Sequence, residues 1–280
     1  MSDVWKTREG EHLVKAAYAG IRDHWPVPRE ELRLPTGQGE TFVVACGDPA
    51  KPPLILLHGA GSNAFMWMGD VADWAQHFRV FAVDIIGEPT ESASSRPPRN
   101  GPAFAVWLDE VLEGLGVARA AFVGISLGGW MAIDYAIRRP VRVERLALLC
   151  PGGVGRVKLS FLLTATMMLL AGPKGMQRTL SSAGADGLPA PIADFLTLIF
   201  THFKPRRDAL PIFSDADLSG LNIPILTFLG ARDTLIDSAG TRRRLARTAP
   251  HARIVWLPEA GHFLGGLTTP IQDFLLESAP

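Results

Sequence analysis

Short apolar runs alternate with helix-like segments along most of this 280-residue chain, and this alternation restricts the folds it can adopt. The run 53–57 is apolar throughout, as expected of a strand covered on both faces. Short connections between such segments favour right-handed crossovers and a mainly parallel sheet. We therefore predict an α/β fold. The predicted strands are 31–34, 41–46, 53–57, 80–83, 120–124, 146–149, 225–229 and 253–257, and the predicted helices include 11–25, 71–76, 104–115, 130–139, 239–248 and 271–278.

The alternation breaks between about residues 154 and 221. This segment is rich in Leu, Met and Phe and is interrupted by Gly172-Pro173, Pro189, Pro191 and Pro205. Several short helices separated by turns are the structure that such a pattern predicts. We expect a helical insertion after the sixth strand, inside a single domain that covers residues 1–280.

Composition argues against several functional classes. The chain has 28 Lys and Arg against 28 Asp and Glu, so it lacks the basic surplus of proteins that bind nucleic acid or anionic membranes. The most apolar stretch, 159–171, is too short to span a bilayer of about 30 Å. Cys46 and Cys150 cannot form a disulfide framework, and we expect them to be small core residues of a cytoplasmic protein.

Motifs for metals and nucleotides are absent from the sequence. No H-E-x-x-H string or Cys/His cluster suggests a metal site. No G-x-G-x-x-G or G-x-x-x-x-G-K-[ST] loop stands where a nucleotide phosphate would need it. The sequence therefore predicts chemistry without a cofactor.

One serine lies at a strand-to-helix turn. The segment Gly124-Ile125-Ser126-Leu127-Gly128-Gly129 follows the apolar run 120–123 and precedes a helix-like run. A sharp turn of this kind holds a serine hydroxyl exposed, and its glycines let neighbouring backbone pass close by. Alone, Ser126 could equally be a helix cap. In this context, it is a candidate nucleophile.

Further candidates for serine catalysis follow other strands. His262 comes after the last strand, Asp233 after the preceding strand, and His58-Gly59-Ala60-Gly61 after the strand 53–57. Ligands bind beyond the carboxyl ends of parallel strands, which is where all of these residues fall. Singly, Asp233 is most simply a turn or capping residue and His262 a loop residue. Asp237 is the competing acid, while His58 is expected to shape its turn.

These motifs resemble those of the α/β-hydrolase superfamily, from about residue 41 to the C-terminus. The order Ser126, Asp233, His262 is the order of that family's catalytic triad. The resemblance implies an eight-stranded sheet and a helical lid after strand 6, at approximately 154–221. It also implies that Ser126 is the nucleophile, His262 the base and Asp233 the orienting acid. The oxyanion hole would be formed by the backbone N–H groups of Ala60 and Leu127.

One loop departs from the family's pattern. Many members have a compact Asp-x-x-Gly-x-Gly-x-Ser turn after the fourth strand. Here residues 84–92 read Asp-Ile-Ile-Gly-Glu-Pro-Thr-Glu-Ser, so the second glycine is missing and the loop is longer. The shape of this loop is not predicted by the resemblance.

The insertion indicates an apolar substrate. Most of its large side chains are expected to form the core of the lid, but they are numerous enough to leave a covered apolar face as well. We predict a hydrophobic pocket under the lid, with hinges near Gly172-Pro173 and 187–189. The large apolar residues are Phe161, Leu162, Met167, Met168, Leu169, Leu170, Phe195, Phe200 and Phe203.

The sequence thus favours a serine esterase that cleaves carboxylic esters, thioesters or lactones with apolar acyl or aryl groups through an acyl-enzyme. The same triad could instead serve C–C bond hydrolysis, acyl transfer or perhydrolysis, because a fold does not fix its chemistry. A ligand receptor on a hydrolase scaffold is a further alternative. The expected partner is a small apolar ester. We expect no nucleic-acid partner and no membrane-spanning segment, and we expect a monomer or homodimer.

Overall fold

The computed structural model describes residues 4–158 and 190–277, and in these ranges eight strands form one sheet. Their order is β1-β2-β4-β3-β5-β6-β7-β8. Strand β2 is antiparallel to both of its neighbours, and every pair from β4 to β8 is parallel. The predicted mainly parallel, eight-stranded α/β sheet is confirmed. The strands are β1 (Arg29–Thr36), β2 (Gly39–Cys46), β3 (Pro53–Leu57), β4 (Arg79–Val83), β5 (Ala120–Ile125), β6 (Val143–Leu149), β7 (Ile225–Gly230) and β8 (Arg253–Leu257).

Helices cover both faces of this sheet. Side chains of a strand alternate between faces, so Ile55 and Leu57 of β3 join one apolar core and Leu54 and Leu56 join the other. Helices α3, α4 and α7 contribute to the first core, and α1, α2, α5 and α8 to the second. The described helices are α1 (Arg8–Arg22), α2 (Val71–Trp74), α3 (Ala103–Gly114), α4 (Leu127–Arg138), α5 (Ala190–His202), α6 (Asp215–Ser219), α7 (Ser238–Thr248) and α8 (Thr268–Leu276).

Helix α1 begins three residues before its predicted start. The Thr7 side chain accepts a hydrogen bond from the Gly10 N–H at 2.9 Å, so Thr7 is the N-cap. This hydrogen bond adds Arg8, Glu9 and Gly10 to the amphipathic segment 11–25 from which the sequence predicts the helix. Helix α4 likewise begins at Leu127, directly after the turn, and not at Trp130.

The insertion after β6 is described only in part. Helices α5 and α6 agree with the prediction of short helices there. Residues 159–189, which hold the predicted hinges and six of the large apolar residues, lie outside the described ranges. Helix α5 packs on α1, where the rings of Phe195 and Tyr18 stack with centroids 6.3 Å apart. Among the helices of the described ranges, none is both long and apolar enough to cross a bilayer.

Candidate active site

Ser126 stands at the turn between β5 and α4. Its backbone has φ 53° and ψ −107°, a conformation that is costly for a residue with a side chain. Its N–H donates to the Leu149 carbonyl at 2.9 Å, and its own carbonyl accepts from Gly152 at 3.0 Å. These hydrogen bonds hold the turn against the end of β6 and leave the Ser126 side chain half-exposed. This is the strained elbow that the sequence predicted.

Gly128 explains why this turn requires glycine. A Cβ at this position would lie 2.0 Å from the Leu57 carbonyl oxygen, well inside van der Waals contact. Helix α4 therefore approaches the end of β3 closely only because residue 128 has no side chain. This close approach brings the Ser126 turn beside the loop that follows β3.

Asp233 and His262 form a buried hydrogen-bonded pair. His262 Nδ1 and Asp233 Oδ2 are 2.7 Å apart, and the two residues are 4% and 0% exposed. The other carboxylate oxygen accepts from the N–H groups of Leu235 at 2.7 Å and Ile236 at 3.0 Å. Burial raises the pKa of Asp233, but the hydrogen bonds from His262 and these N–H groups outweigh it and hold the pKa below its usual value. Asp233 is therefore a carboxylate at neutral pH.

The neighbouring strand ends bring Ser126 to the same side of the sheet as this pair. Strands β5, β6, β7 and β8 are parallel neighbours, and Ser126, Asp233 and His262 follow three of them. In the described ranges, neither Ser126 Oγ nor His262 Nε2 makes a hydrogen bond, so contact between these two atoms stays a prediction. Nucleophile–base contacts are often long in proteins without a bound substrate.

Asp237, the competing acid, has a different partner. Its Oδ1 accepts from the Gly240 N–H at 2.9 Å, which makes it the N-cap of α7. The two aspartates are four residues apart and have different roles. Asp233 follows β7 closely enough to contact His262 in the loop after β8, whereas Asp237 caps α7.

His58 has the turn-shaping role predicted for it. The ring is fully buried; its Nε2 accepts from the Ile85 N–H at 2.9 Å, and its Nδ1 lies 2.8 Å from the Gly59 carbonyl oxygen. An acceptor at Nε2 and a donor at Nδ1 require the neutral ring. Burial lowers the pKa of His58 to about 4, in agreement with this assignment.

The loop 58–61 lies against the Ser126 turn. A Cβ built at Gly59 would lie 3.8 Å from the Cβ of Ser126. Ala60 is exposed, and within the described ranges neither its N–H nor that of Leu127 donates a hydrogen bond to a protein group. The two predicted oxyanion donors are thus unengaged beside the serine.

The loop 84–92, whose shape was not predicted, runs alongside the loop after β3. Ile85 donates to His58, the Gly61 N–H donates to Glu88 Oε2 at 2.7 Å, and the Asn63 side-chain amide donates to the Pro89 carbonyl at 3.1 Å. No sequence signal singles out Glu88, because a lone acidic residue in a loop is usually solvent-exposed. In the structure it is only 4% exposed.

Cys150 is a second residue near the site that the sequence did not single out. It is buried, as expected of a core cysteine, but it has φ 42° and its thiol sulfur lies within 4.8 Å of an Asp233 carboxylate oxygen. Burial, together with the Asp233 charge, raises the pKa of this thiol well above its usual value. Its position at the end of β6 was visible in the sequence, but its contact with Asp233 was not.

Cys150, Asp233 and His262 also offer three atoms of the kind that bind metals, all within 4.8 Å of one another. The Asp233 oxygen and the His262 nitrogen are already joined by a hydrogen bond of 2.7 Å. The shared proton occupies the place that an ion would need. The set therefore fits an acid–base pair with a thiol neighbour better than a metal centre.

Apolar side chains of the insertion border the serine. A Cβ at Gly61 would lie 2.7 Å from the Phe200 ring, and one at Gly152 would lie 2.5 Å from Leu210. Phe200 belongs to α5 and is half-buried, whereas Phe195 and Phe203 are buried core residues. The described part of the insertion thus places apolar groups beside both loops that flank Ser126.

Comparison with known proteins adds independent findings. A model described as "Alpha/beta hydrolase family" matches residues 54–275. Carboxylesterase YbfK of Bacillus subtilis is 28% identical over 259 residues, which is 89% of this chain and 86% of that protein. Its crystal structure, as CesB (YbfK), superposes with a TM-score of 0.86 at 26% identity, covering 96% of this chain and 99% of that one. Naproxen esterase (carboxylesterase NP) from Bacillus subtilis gives a TM-score of 0.81 at 27% identity, over 92% and 93% of the two chains.

Proposed function

The chain belongs to the α/β hydrolase family, and on that premise we propose that it is a serine esterase that cleaves carboxylic esters without a cofactor. The observation that carries this proposal is the buried His262–Asp233 hydrogen bond of 2.7 Å at the same sheet edge as the strained Ser126 turn. A strained serine, a buried acid–base pair and two unengaged N–H groups support this proposal, because acyl transfer through serine uses a nucleophile, an oriented base and oxyanion donors.

Each group has a defined part in the reaction. Ser126 Oγ attacks the ester carbonyl carbon while His262 Nε2 takes the hydroxyl proton. Asp233 stabilises the resulting imidazolium, and the N–H groups of Ala60 and Leu127 donate to the oxyanion. His262 then protonates the leaving alcohol, which departs and leaves an acyl-serine. Water, deprotonated by the same imidazole, hydrolyses this ester and regenerates Ser126.

The substrate proposed is an ester, thioester or lactone with an apolar acyl or aryl group. Phe200 and Leu210 support this proposal, because they bring apolar surface to the two loops beside Ser126. The similar proteins carboxylesterase YbfK and naproxen esterase support the same bond type. Segment 154–221 would act as the lid of a single domain, and we place the enzyme in the cytoplasm as a monomer or homodimer.

The first test identifies the nucleophile. A fluorophosphonate probe should label Ser126, as located by mass spectrometry of the digested protein. Replacing Ser126 by Ala should lower turnover of p-nitrophenyl esters by about 10⁴- to 10⁶-fold, because it removes the hydroxyl that forms the acyl-enzyme. Ser238→Ala is the control, since the Ser238 hydroxyl is buried and has no hydrogen-bond partner in the described ranges. Labelling at another residue, or hydrolysis that survives in S126A, would refute the proposal.

A matched pair of substitutions identifies the acid. Asp233→Asn should lower kcat by about 10⁴-fold, because the amide cannot stabilise the imidazolium and favours the wrong tautomer of His262. Asp237→Asn makes the same chemical change one turn later and should leave kcat within about twofold, since Asn is as good an N-cap as Asp. Steady-state kinetics on a short-chain ester measure both. Equal losses in the two variants would contradict the assignment of Asp233.

A further inference from the structure

Glu88 is a buried acidic residue that the proposed reaction does not use. It is 4% exposed, and its Oε2 accepts the Gly61 N–H at 2.7 Å. Gly61 directly follows Ala60, whose N–H is one of the two proposed oxyanion donors. A buried carboxylate that binds the main chain at this point needs an explanation, because burying a charge is costly unless it is compensated.

Two side chains fix the peptide groups on either side of Ala60. In the preceding peptide, the Gly59 carbonyl oxygen lies 2.8 Å from His58 Nδ1. In a trans peptide the N–H points opposite to the C=O, so this hydrogen bond directs the Ala60 N–H away from His58. In the following peptide, Glu88 holds the Gly61 N–H. Rotation of the Gly59–Ala60 peptide would break the first hydrogen bond and turn the Ala60 N–H directly. Displacement of the Ala60–Gly61 peptide would break the second and shift the Ala60 backbone that carries this N–H.

From this geometry we propose that Glu88 is a positioning residue of the oxyanion hole, holding the Ala60–Gly61 peptide so that the Ala60 N–H faces the reacting carbonyl. The inference rests on the proposed esterase function. Glu88 acts through its hydrogen bond to the Gly61 N–H, so its proposed role is to position the oxyanion donor and not to contact the substrate.

Charged and polar groups around Glu88 oppose only part of the effect of its burial. Burial is the largest influence and raises the pKa of Glu88 above its usual value, while the Gly61 N–H and the charges of Arg99, Arg96 and Arg206 act in the opposite direction. Arg99 is itself 9% exposed. The charges of these three guanidinium groups offset part of the cost of removing the carboxylate from water.

The same arginines connect Glu88 to the insertion. Arg96 donates to the Lys204 carbonyl at 2.5 Å, Arg99 donates to the Asp208 carbonyl, and Arg206 donates back to the Pro97 carbonyl at 2.8 Å. Phe200, at the end of α5, also lies against Gly61, since a Cβ at Gly61 would be 2.7 Å from its ring. The loop 84–99 and the segment 200–208 therefore both border the buried Gly61, and Glu88 is the residue that hydrogen-bonds its N–H.

Two conservative variants distinguish the effect of the Glu88 side-chain length from the effect of its charge. Glu88→Gln keeps the side-chain length and an oxygen acceptor but loses the charge. Glu88→Asp keeps the charge but is one methylene shorter and cannot reach the Gly61 N–H without displacing the loop. We expect E88Q to retain kcat within about threefold. E88D should lose about 10- to 100-fold in kcat, with KM changed less than about twofold, because an oxyanion donor acts mainly in the transition state.

Glu91 provides the matched control in the same loop. Its carboxylate pairs with Arg22 at 3.4 Å and Arg33 at 3.5 Å, away from the Ala60–Gly61 peptide. E91Q and E91D should both retain wild-type kcat. Thermal unfolding of all four variants establishes that each is folded at the assay temperature. A loss of kcat in E88D then cannot be attributed to unfolding.

The outcomes distinguish this inference from the function on which it depends. Full kcat in E88D, or a loss in E88Q as large as that in E88D, would overturn the positioning role while leaving Ser126-dependent hydrolysis intact. A KM increase without a kcat decrease would also overturn it, because it would indicate a substrate contact. If the wild-type protein shows no Ser126-dependent hydrolysis, the proposed function is wrong and this inference falls with it.

Discussion

At the scale of single residues, burial and hydrogen bonding leave Asp233 ionised and His58 neutral, although both side chains are buried. Asp233 is buried, yet its pKa is lowered, because His262 and two N–H groups favour the carboxylate over the acid. His58 is buried without any such charged partner, and its pKa falls to about 4, which leaves it neutral. Their distinct roles, an ionised orienting acid and a neutral turn-forming ring, follow from partners that lie far away in the sequence.

The first prediction concerns His58 and pH. Its folded-state pKa of about 4 lies below the ordinary value of 6.5, so between these pH values the unfolded chain binds more protons at this position. Stability from His58 is therefore complete above about pH 6.5 and is lost as the pH falls towards 4. We expect the difference in unfolding free energy between wild type and His58→Asn to shrink by about 3 kcal/mol over this range.

Denaturant unfolding at pH 7, 5.5 and 4 measures this difference. Because the two proteins share every other titrating group, the comparison isolates residue 58. A difference that stays constant with pH would contradict a neutral, buried His58.

At the scale of elements, the site depends on how closely α4 approaches β3. The helix begins immediately after Ser126, and Gly128, in its first turn, lies against the Leu57 carbonyl. Glycine is a poor helix former, costing about 1 kcal/mol relative to alanine. Here that cost is outweighed, because any side chain would separate the helix from the strand and move the serine turn.

Two glycine-to-alanine changes in helices should therefore have opposite effects. Gly128→Ala places a Cβ 2.0 Å from the Leu57 oxygen and should destabilise the protein by about 1–3 kcal/mol or more, with loss of most ester hydrolysis. Gly20→Ala lies in α1 with nothing within 4 Å of the new Cβ. It should be neutral or stabilise by up to about 1 kcal/mol, with unchanged kcat. Chemical denaturation and kinetics test both, and equal effects would show that helix propensity, not the close contact, dominates.

At the scale of the whole molecule, the N-terminal segment holds the downstream end of the insertion. Trp5 forms an isolated β-bridge with Phe203, and their rings meet edge to face with centroids 5.9 Å apart. Both side chains are buried, at 5% and 0% exposure. The Lys6 N–H also donates to the His202 carbonyl at 2.8 Å. Residues nearly 200 positions apart thus pack against each other, and this contact holds the end of α5 next to the N-terminal segment.

Removing the Trp5 ring should weaken this junction. We expect Trp5→Ala to destabilise the protein by about 3–5 kcal/mol, the usual cost of deleting a buried aromatic side chain. Leu13→Ala, at a position 43% exposed on α1, should cost less than about 1 kcal/mol. Below the unfolding transition, both should keep kcat within about threefold, because neither contacts the proposed triad. Equal unfolding free energies for the two variants would contradict the junction.

Much of the fold was accessible from the sequence because its signals are local. The strand at 53–57 is apolar at every position, and burial on both faces leaves no alternative to a covered strand. The Ser126 turn was predicted from the glycines next to it in the sequence. Asp233 and His262 were predicted from their positions directly after two strands and from their order along the chain. Helix starts were less certain, as at Thr7, because a single side-chain hydrogen bond decides them.

By itself, the sequence determined the order of strands and helices, the turn at Ser126 and the candidate acid and base, since each depends on residues adjacent in the chain. Only the tertiary structure decided that His262 bonds Asp233 while Asp237 caps α7. Likewise, only the tertiary structure put Cys150 beside that acid and Glu88 on Gly61. The physical reason is that a hydrogen bond or a buried contact depends on the distance between two atoms in the folded protein. That distance is set by how the elements pack, and the positions of the residues along the chain do not specify it.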